Sequence, residues 1–234
     1  AIGGSVWAGF LHTTRSPYLA GIALYLVLFT FGSTVLYSAQ TEIVGAHFSD
    51  RELRTQVLAR MELATQVLTA LVQAFVTGRF MRRFGVAATL GAVPVVSMLG
   101  FAALGATAWG ALPLFGTFVA LSVLRRGTEF SLGRPAREVL FTVVPREDKY
   151  KAKSFLDTFV YRLGDQIGVW GYAGLTSAAV GLTLTGASWV AVGTSFVFLA
   201  LALWLGRRQQ ERARAAAPQR AGSDVPDATP VVAR

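Results

Sequence analysis

Six apolar runs follow one another along the chain, each near the ~20 residues that a helix needs to cross a bilayer. They run Pro17–Gln40, Arg54–Thr77, Val86–Ala108, Leu112–Leu132, Ser154–Ser177 and Ala187–Gly206, with short polar linkers between them. Any one of them alone reads equally well as a buried helix of a soluble domain. Six in succession predict an all-α, polytopic membrane protein with six transmembrane helices. The chain then divides into a cytoplasmic lead-in over 1–16, a six-helix transmembrane bundle over 17–206 and a basic, disordered cytoplasmic tail over 207–234. The end of that tail, from about Ala215, is rich in Ala, Pro and Arg and predicts disorder.

Polar residues inside apolar spans are costly in lipid, so they tend to face a bundle interior or a cavity. Span one carries Thr30, Ser33, Tyr37 and Thr41 on one helical face. Ser and Thr also bond their own helix backbone, so this stripe reads as cavity lining or as packing. Span two carries Glu62, Gln66, Thr69, Gln73 and Thr77 along almost its whole length. Two Gln and a Glu on one face need water or partners, which favours a cavity. Arg60 falls roughly opposite and reads as a snorkelling residue. Span four holds Arg125, Arg126 and Glu129, with Arg125 and Glu129 spaced to pair. Span five holds Asp157, Tyr161, Arg162 and Asp165, with Arg162 and Asp165 likewise spaced. Gly164, Gly168, Gly171 and Gly174 make a small-residue face on span five that permits close helix approach.

Composition agrees with the pattern: 53% of residues are hydrophobic, 15% charged, and mean hydropathy is +0.49. The net charge of +9 does not point to nucleic acid, because the basic residues gather in linkers and the tail. Arg15, then Arg79, Arg82 and Arg83, then the cluster from Arg134 to Lys153, then Arg207, Arg208, Arg212 and Arg214 all fall on one side of the predicted spans. The opposite side has Arg51 and Arg54. Positive-inside therefore places both termini of this segment in the cytoplasm of a cell (inner) membrane. Cysteine is absent, and the two His (His12, His47) are far apart, so no metal site and no cofactor is expected. The chain begins at Ala1 rather than Met and is expected to be part of something longer.

Two segments carry a resemblance. Gly78-Arg-Phe-Met-Arg-Arg-Phe-Gly85 resembles the cytoplasmic loop signature G-x-x-x-D-R-x-G of the major facilitator superfamily, with Arg82 at the acidic position. The stretch Arg134 to Asp165 is more specific. It supplies Pro135, Arg137 and Glu138; Phe141; Val144 and Pro145; Lys149, Lys151 and Lys153; Leu156 and Asp157; then Arg162 and Gly164. In order and spacing this resembles the bacterial and plastid ATP/ADP translocase (nucleotide exchange carrier) family, whose pattern is P-x-K-E, an aromatic, I-P, K-x-K-G-K, I-D and R-x-G-K. The resemblance implies one six-helix half, the C-terminal one, of a twelve-helix major-facilitator-type carrier. Two positions depart: Ala152 replaces the Gly of the Lys run, and Asp165 replaces the Lys after R-x-G. The second reverses a charge where water is scarce, which speaks against assuming ATP as the substrate.

The function expected is secondary active transport by alternating access, with a nucleotide exchanger of the ATP/ADP type as the form the resemblance implies. The alternative is a non-transporting sensor or structural subunit that keeps the carrier fold. An enzyme is not expected, because no nucleophile–base pair or phosphate-cradling Gly loop is visible. The substrate and ion pathway is assigned to Tyr37, Glu62, Gln66, Gln73, Arg126, Glu129, Asp157, Arg162 and Asp165. A cytoplasmic gate of switchable ion pairs is assigned to Arg82, Arg83, Arg137, Glu138, Lys149, Lys151 and Lys153. The partners expected are the lipid bilayer, a small-molecule substrate of anionic or nucleotide type, and a missing N-terminal six-helix half. No nucleic acid is expected.

Overall fold

The computed structural model of the protein describes residues 16–144, 153–177 and 180–223, and side chains as far as Ala215. All regular structure among the described residues is helical. Helix α1 is Pro17–His47, α2 is Arg51–Val72, α3 is Gly78–Ala106, α4 is Leu114–Thr128, α5 is Arg134–Leu140, α6 is Tyr161–Thr176 and α7 is Leu184–Ser223. Helical structure thus occupies all six predicted stretches. Three stretches are long and apolar enough to cross a membrane by length and composition: Pro17–His47, Arg51–Trp109 and Leu184–Ala215.

Local chemistry explains the ends. Pro17 opens α1, where its missing N–H costs nothing. Asp50 caps α2 by accepting a hydrogen bond from the Glu52 amide at 2.9 Å. The basic segment Arg79–Phe84, expected as a linker, is instead helical, because the chain breaks only at Gly85. There φ is 77° and ψ 178°, a conformation that L side chains rarely adopt. The last helix also departs from expectation. It passes Gly206 without a break and runs to Ser223, so the basic segment after Gly206 is a helical extension rather than a disordered tail as far as that residue. The extension is held by packing: Gln209 is buried, and the Arg212 guanidinium lies 4.4 Å over the Tyr18 ring.

Three π turns interrupt the helices: Gln73–Thr77 after α2, Glu129–Gly133 after α4 and Leu156–Val160 before α6. A π turn frees a backbone carbonyl and re-aims the side chains around it. The first two face each other. Gln73 Nε2 donates to the Phe130 carbonyl at 2.9 Å, and Thr77 Oγ1 donates to the Ser131 carbonyl at 2.9 Å. The polar stripe of span two thus becomes a dock onto the distortion of span four.

Helix α1 runs through the middle of two apolar clusters. One joins Tyr18, Ile22, Leu26 and Phe29 to Leu90, Leu140, Leu156, Phe198 and Leu205. The other joins Val35, Leu36 and Ile43 to Met61, Phe101, Leu104, Phe118 and Leu121. Helix α6 closes on α1 through its glycines. A Cβ at Gly168 would lie 2.6 Å from Thr34 Oγ1, and one at Gly171 would lie 3.0 Å from the Phe31 ring. Thr30 fills the space beside Gly164. Gly174, expected on the same packing face, meets nothing within 4 Å.

Candidate functional site

The span-one stripe does both things the sequence allowed: its Ser and Thr hydroxyls bond their own helix, while Ser33 and Tyr37 also line a cavity. Thr30 donates to the Leu26 and Val27 carbonyls, Ser33 to Phe29 and Thr41 to Tyr37, all within α1. Ser33 does more, because its oxygen also accepts from a buried arginine on α4. That arginine, Arg125, is only 2% exposed. Its Nε donates to Ser97 Oγ of α3 at 2.9 Å, its Nη1 to Ser33 Oγ at 3.0 Å and its Nη2 to the Phe29 carbonyl at 3.0 Å. The guanidinium also lies 5.2 Å over the Phe29 ring. Guanidinium has five N–H donors, so one remains on each terminal nitrogen. Gly32 makes room for this arrangement: a Cβ there would meet Arg125 Nη2 at 3.0 Å and the Phe101 ring at 3.8 Å. Arg125 therefore sits at the seam between the two apolar clusters, near the midpoint of α1.

The expected pairing of Arg125 with Glu129 does not form. Arg125 is drawn across to α1 and α3, and the π turn that follows Glu129 re-aims α5 so that Arg137 reaches the carboxylate. Glu129 is 4% exposed. Its Oε1 lies 3.4 Å from Arg137 Nη1 of α5, and its Oε2 has no hydrogen-bond partner among the described residues. A buried carboxylate oxygen without a donor is costly and marks a place where another ligand or water is needed.

These groups border a cavity of about 510 Å³ between α1, α4, the π turn after α4, and α6. Its polar lining is Ser33, Thr34, Tyr37, Gln40, Ser122, Arg125, Arg126, Glu129, Arg134, Tyr161 and Asp165; Phe29, Leu36, Phe130 and Val169 add apolar surface. Three guanidiniums against two carboxylates make it cationic. One of the carboxylates, Glu129, already has Arg137 beside it. Such a chamber suits an anionic solute with an apolar or aromatic part. Among the described residues no group of three or more His, Cys, Asp or Glu is placed to hold a metal ion.

A second cavity of about 590 Å³ lies beside the first, lined by Gln66, Thr69, Gln73, Phe130, Arg134, Pro135 and Glu138. Phe130 and Arg134 border both. Glu62 stands near the junction: it pairs with Arg126 Nη2 at 2.8 Å and accepts from Gln66 Nε2 at 2.8 Å. Of the residues assigned to a pathway from sequence, Tyr37, Arg126, Glu129 and Asp165 line the first cavity. Gln66 and Gln73 line the second, and Glu62 bonds to members of both linings. Asp157 and Arg162 do neither. Both are exposed on the outer side of this bundle, and no ion pair joins Arg162 to Asp165.

The gate assignment divides similarly. Lys153 Nζ lies 2.6 Å from Glu138 Oε2, a partly exposed pair that ties α5 to the start of the next helical stretch. Arg137 points inward to Glu129 instead. Arg82 and Arg83 are exposed. Lys149 and Lys151 lie outside the described residues. Sequence reasoning named Arg125, Arg134 and Gln40 without assigning them to the site, and passed over Ser97 and Ser122 entirely. Adjacent arginines inside an apolar run were the signal for Arg125. Nothing in the sequence ties Ser97 to it across 28 positions.

The chain is similar to two carriers of Chlamydia pneumoniae. It is 24% identical to ADP,ATP carrier protein 2 over 224 residues, covering 87% of this chain and 41% of that protein. It is 22% identical to ADP,ATP carrier protein 1 over 170 residues, covering 66% of this chain and 33% of that protein. The chain thus spans well under half the length of either relative. It matches no protein-family model and no solved structure. The long apolar helices mark a membrane protein, and its similarity to the two ADP/ATP carriers is distant and partial.

Proposed function

We propose that this chain is the C-terminal six-helix half of a major-facilitator-type secondary transporter, working by alternating access on an anionic substrate. The observation that carries the reading is the cationic cavity around Arg125. A buried guanidinium, held by two serines and a carbonyl, borders a chamber also lined by Arg126, Arg134 and Tyr161. Preorganised donors in a water-poor place bind anions strongly, because no reorganisation is needed when the ligand arrives. Distant similarity to carriers named for ADP and ATP makes nucleotide exchange the first substrate class to test.

In this reading a second six-helix bundle, the N-terminal half, covers the outer face that carries Asp157 and Arg162 and the face of α2 that exposes Leu63, Val67 and Leu71. Both termini of this segment face the cytoplasm, and the pair Lys153–Glu138 belongs to the gate at that end. Asp165 lowers the cavity's positive charge, which favours a substrate of fewer negative charges than ATP within the same general class.

The test is uptake of labelled ATP and ADP into vesicles containing the complete gene product, with and without internal nucleotide and a proton gradient. Exchange that requires internal nucleotide supports the reading through to substrate. Absence of flux in a correctly inserted protein removes nucleotides and directs the search to smaller organic anions. Failure of any anion to bind the purified protein would instead favour a non-transporting subunit.

A further inference from the structure

Helices α3 and α7 pack antiparallel in one continuous register. A Cβ at Gly105 would meet the Trp189 indole at 2.9 Å, and one at Gly91 would meet Leu199 at 3.3 Å. Further on, Gly206 lies directly against Ala87, and a Cβ at Gly85 would lie 2.7 Å from Gln210 Nε2. Each step toward the end of α7 matches a step back toward the start of α3. Two basic groups therefore converge on the Gly85–Gln210 contact. Arg79, Arg82 and Arg83 stand within six residues of Gly85. Arg207, Arg208, Arg212 and Arg214 stand within four of Gln210. All seven are exposed. The one acid in these two segments, Glu211, pairs with Arg208 at 3.2 Å.

Aromatic rings sit directly under this cationic end. The Arg208 guanidinium lies 5.9 Å from the Trp204 ring, Arg83 lies 5.8 Å from Phe84, and Arg212 lies 4.4 Å from Tyr18. From Arg208, one face of α7 continues through Trp204 to Val197, which is 54% exposed. The surface is thus cationic at its end, aromatic at its border and apolar below. That sequence of chemistries complements an amphiphile with an anionic head and hydrocarbon chains. A free anion would use only the first of the three.

We propose that the α3–α7 end is a docking surface for anionic phospholipids of the phosphatidylglycerol type, with the headgroup on the arginines around Gly85 and Gln210 and the acyl chains along Trp204 and Val197. Juxtamembrane arginines attract anionic headgroups additively and lose that attraction in salt. The site does not depend on the transport reading, and no substrate enters its test.

The experiment uses the full chain in phosphatidylcholine vesicles doped with brominated-chain phosphatidylglycerol or brominated-chain phosphatidylcholine. The signal is quenching of Trp204 fluorescence, isolated by subtracting the Trp204→Phe variant. The expected result is quenching by the brominated phosphatidylglycerol at an about tenfold lower mole fraction than by brominated phosphatidylcholine. The preference should vanish at about 1 M salt and in the triple variant Arg207→Gln/Arg208→Gln/Arg212→Gln. Inorganic phosphate in the millimolar range should not displace the lipid. Should the triple variant lose its helical circular dichroism, Arg82→Gln/Arg83→Gln is expected to weaken the preference from the other side of the contact. Equal quenching by both lipids, a preference unaffected by salt, or displacement by inorganic phosphate would each overturn the proposal.

Discussion

Arg125 Nε and Ser97 Oγ lie 2.9 Å apart, joining α4 to α3 through a hydrogen bond buried in the middle of the bundle. The same guanidinium holds Ser33 and the Phe29 carbonyl of α1, so one side chain ties three helices together. Removing it takes away three hydrogen bonds at once and leaves Ser33 and Ser97 only their bonds to the Phe29 and Val93 carbonyls of their own helices. Arg125→Ala is expected to lower the unfolding free energy in detergent by about 2–4 kcal/mol. Arg125→Lys keeps a charge but loses the planar fork, and should fall between the two. An alanine variant as stable as the parent would mean that the network is incidental.

Close contact between α6 and α1 depends on missing side chains, and the glycines of α6 are not equivalent. Gly168→Ala puts a methyl against Thr34 and should cost about 1–3 kcal/mol. Gly174→Ala meets open space and should be neutral, or stabilising by about 0.5–1 kcal/mol through helix propensity. Thermal unfolding of the two variants side by side decides the matter. Equal effects would contradict the packing described.

The Lys153–Glu138 pair predicts a charge-reversal pattern. Each side chain is partly exposed, so its contribution to stability is expected to be below about 1 kcal/mol. Glu138→Lys or Lys153→Glu alone should slow substrate flux, and the double reversal should restore most of it. If both single variants transport as well as the parent, the pair takes no part in gating.

Asp165 tests the electrostatics of the cavity it lines. Asp165→Lys raises the formal charge of the lining by two and should strengthen binding of nucleoside triphosphate relative to monovalent anions, read by equilibrium binding to the purified protein. Asp165→Asn should move binding in the same direction by less. Loss of all anion binding in both variants would make Asp165 part of the recognition itself.

The hydrophobic pattern by itself determined that the chain is helical, roughly where its helical stretches lie, and that α6 approaches a neighbour through glycine. These follow from neighbours along the chain: apolar runs need their backbone groups satisfied within the helix, and side chains three or four apart share a face. The motif stretch from Arg134 to Asp165 carried a resemblance to ADP/ATP translocases, and the chain is distantly similar to two such carriers.

Only the tertiary structure decided which polar groups meet. Arg125 and Arg126 are chemically identical neighbours, yet one is sealed among α1, α3 and α4 while the other stands half-exposed beside Glu62. That difference rests on the rotational setting of α4, which is fixed by Ser33, Ser97 and the gap at Gly32, all remote in sequence. Asp165 and Arg162 share a helix, and packing of Gly164 and Gly168 against α1 turns one toward the cavity and the other away. The π turn after Glu129 inserts an extra residue, which brings Arg137, eight positions on, to the carboxylate. Helical spacing specifies a face, but what that face meets is set by long-range packing, and spacing itself fails wherever a helix is locally unwound.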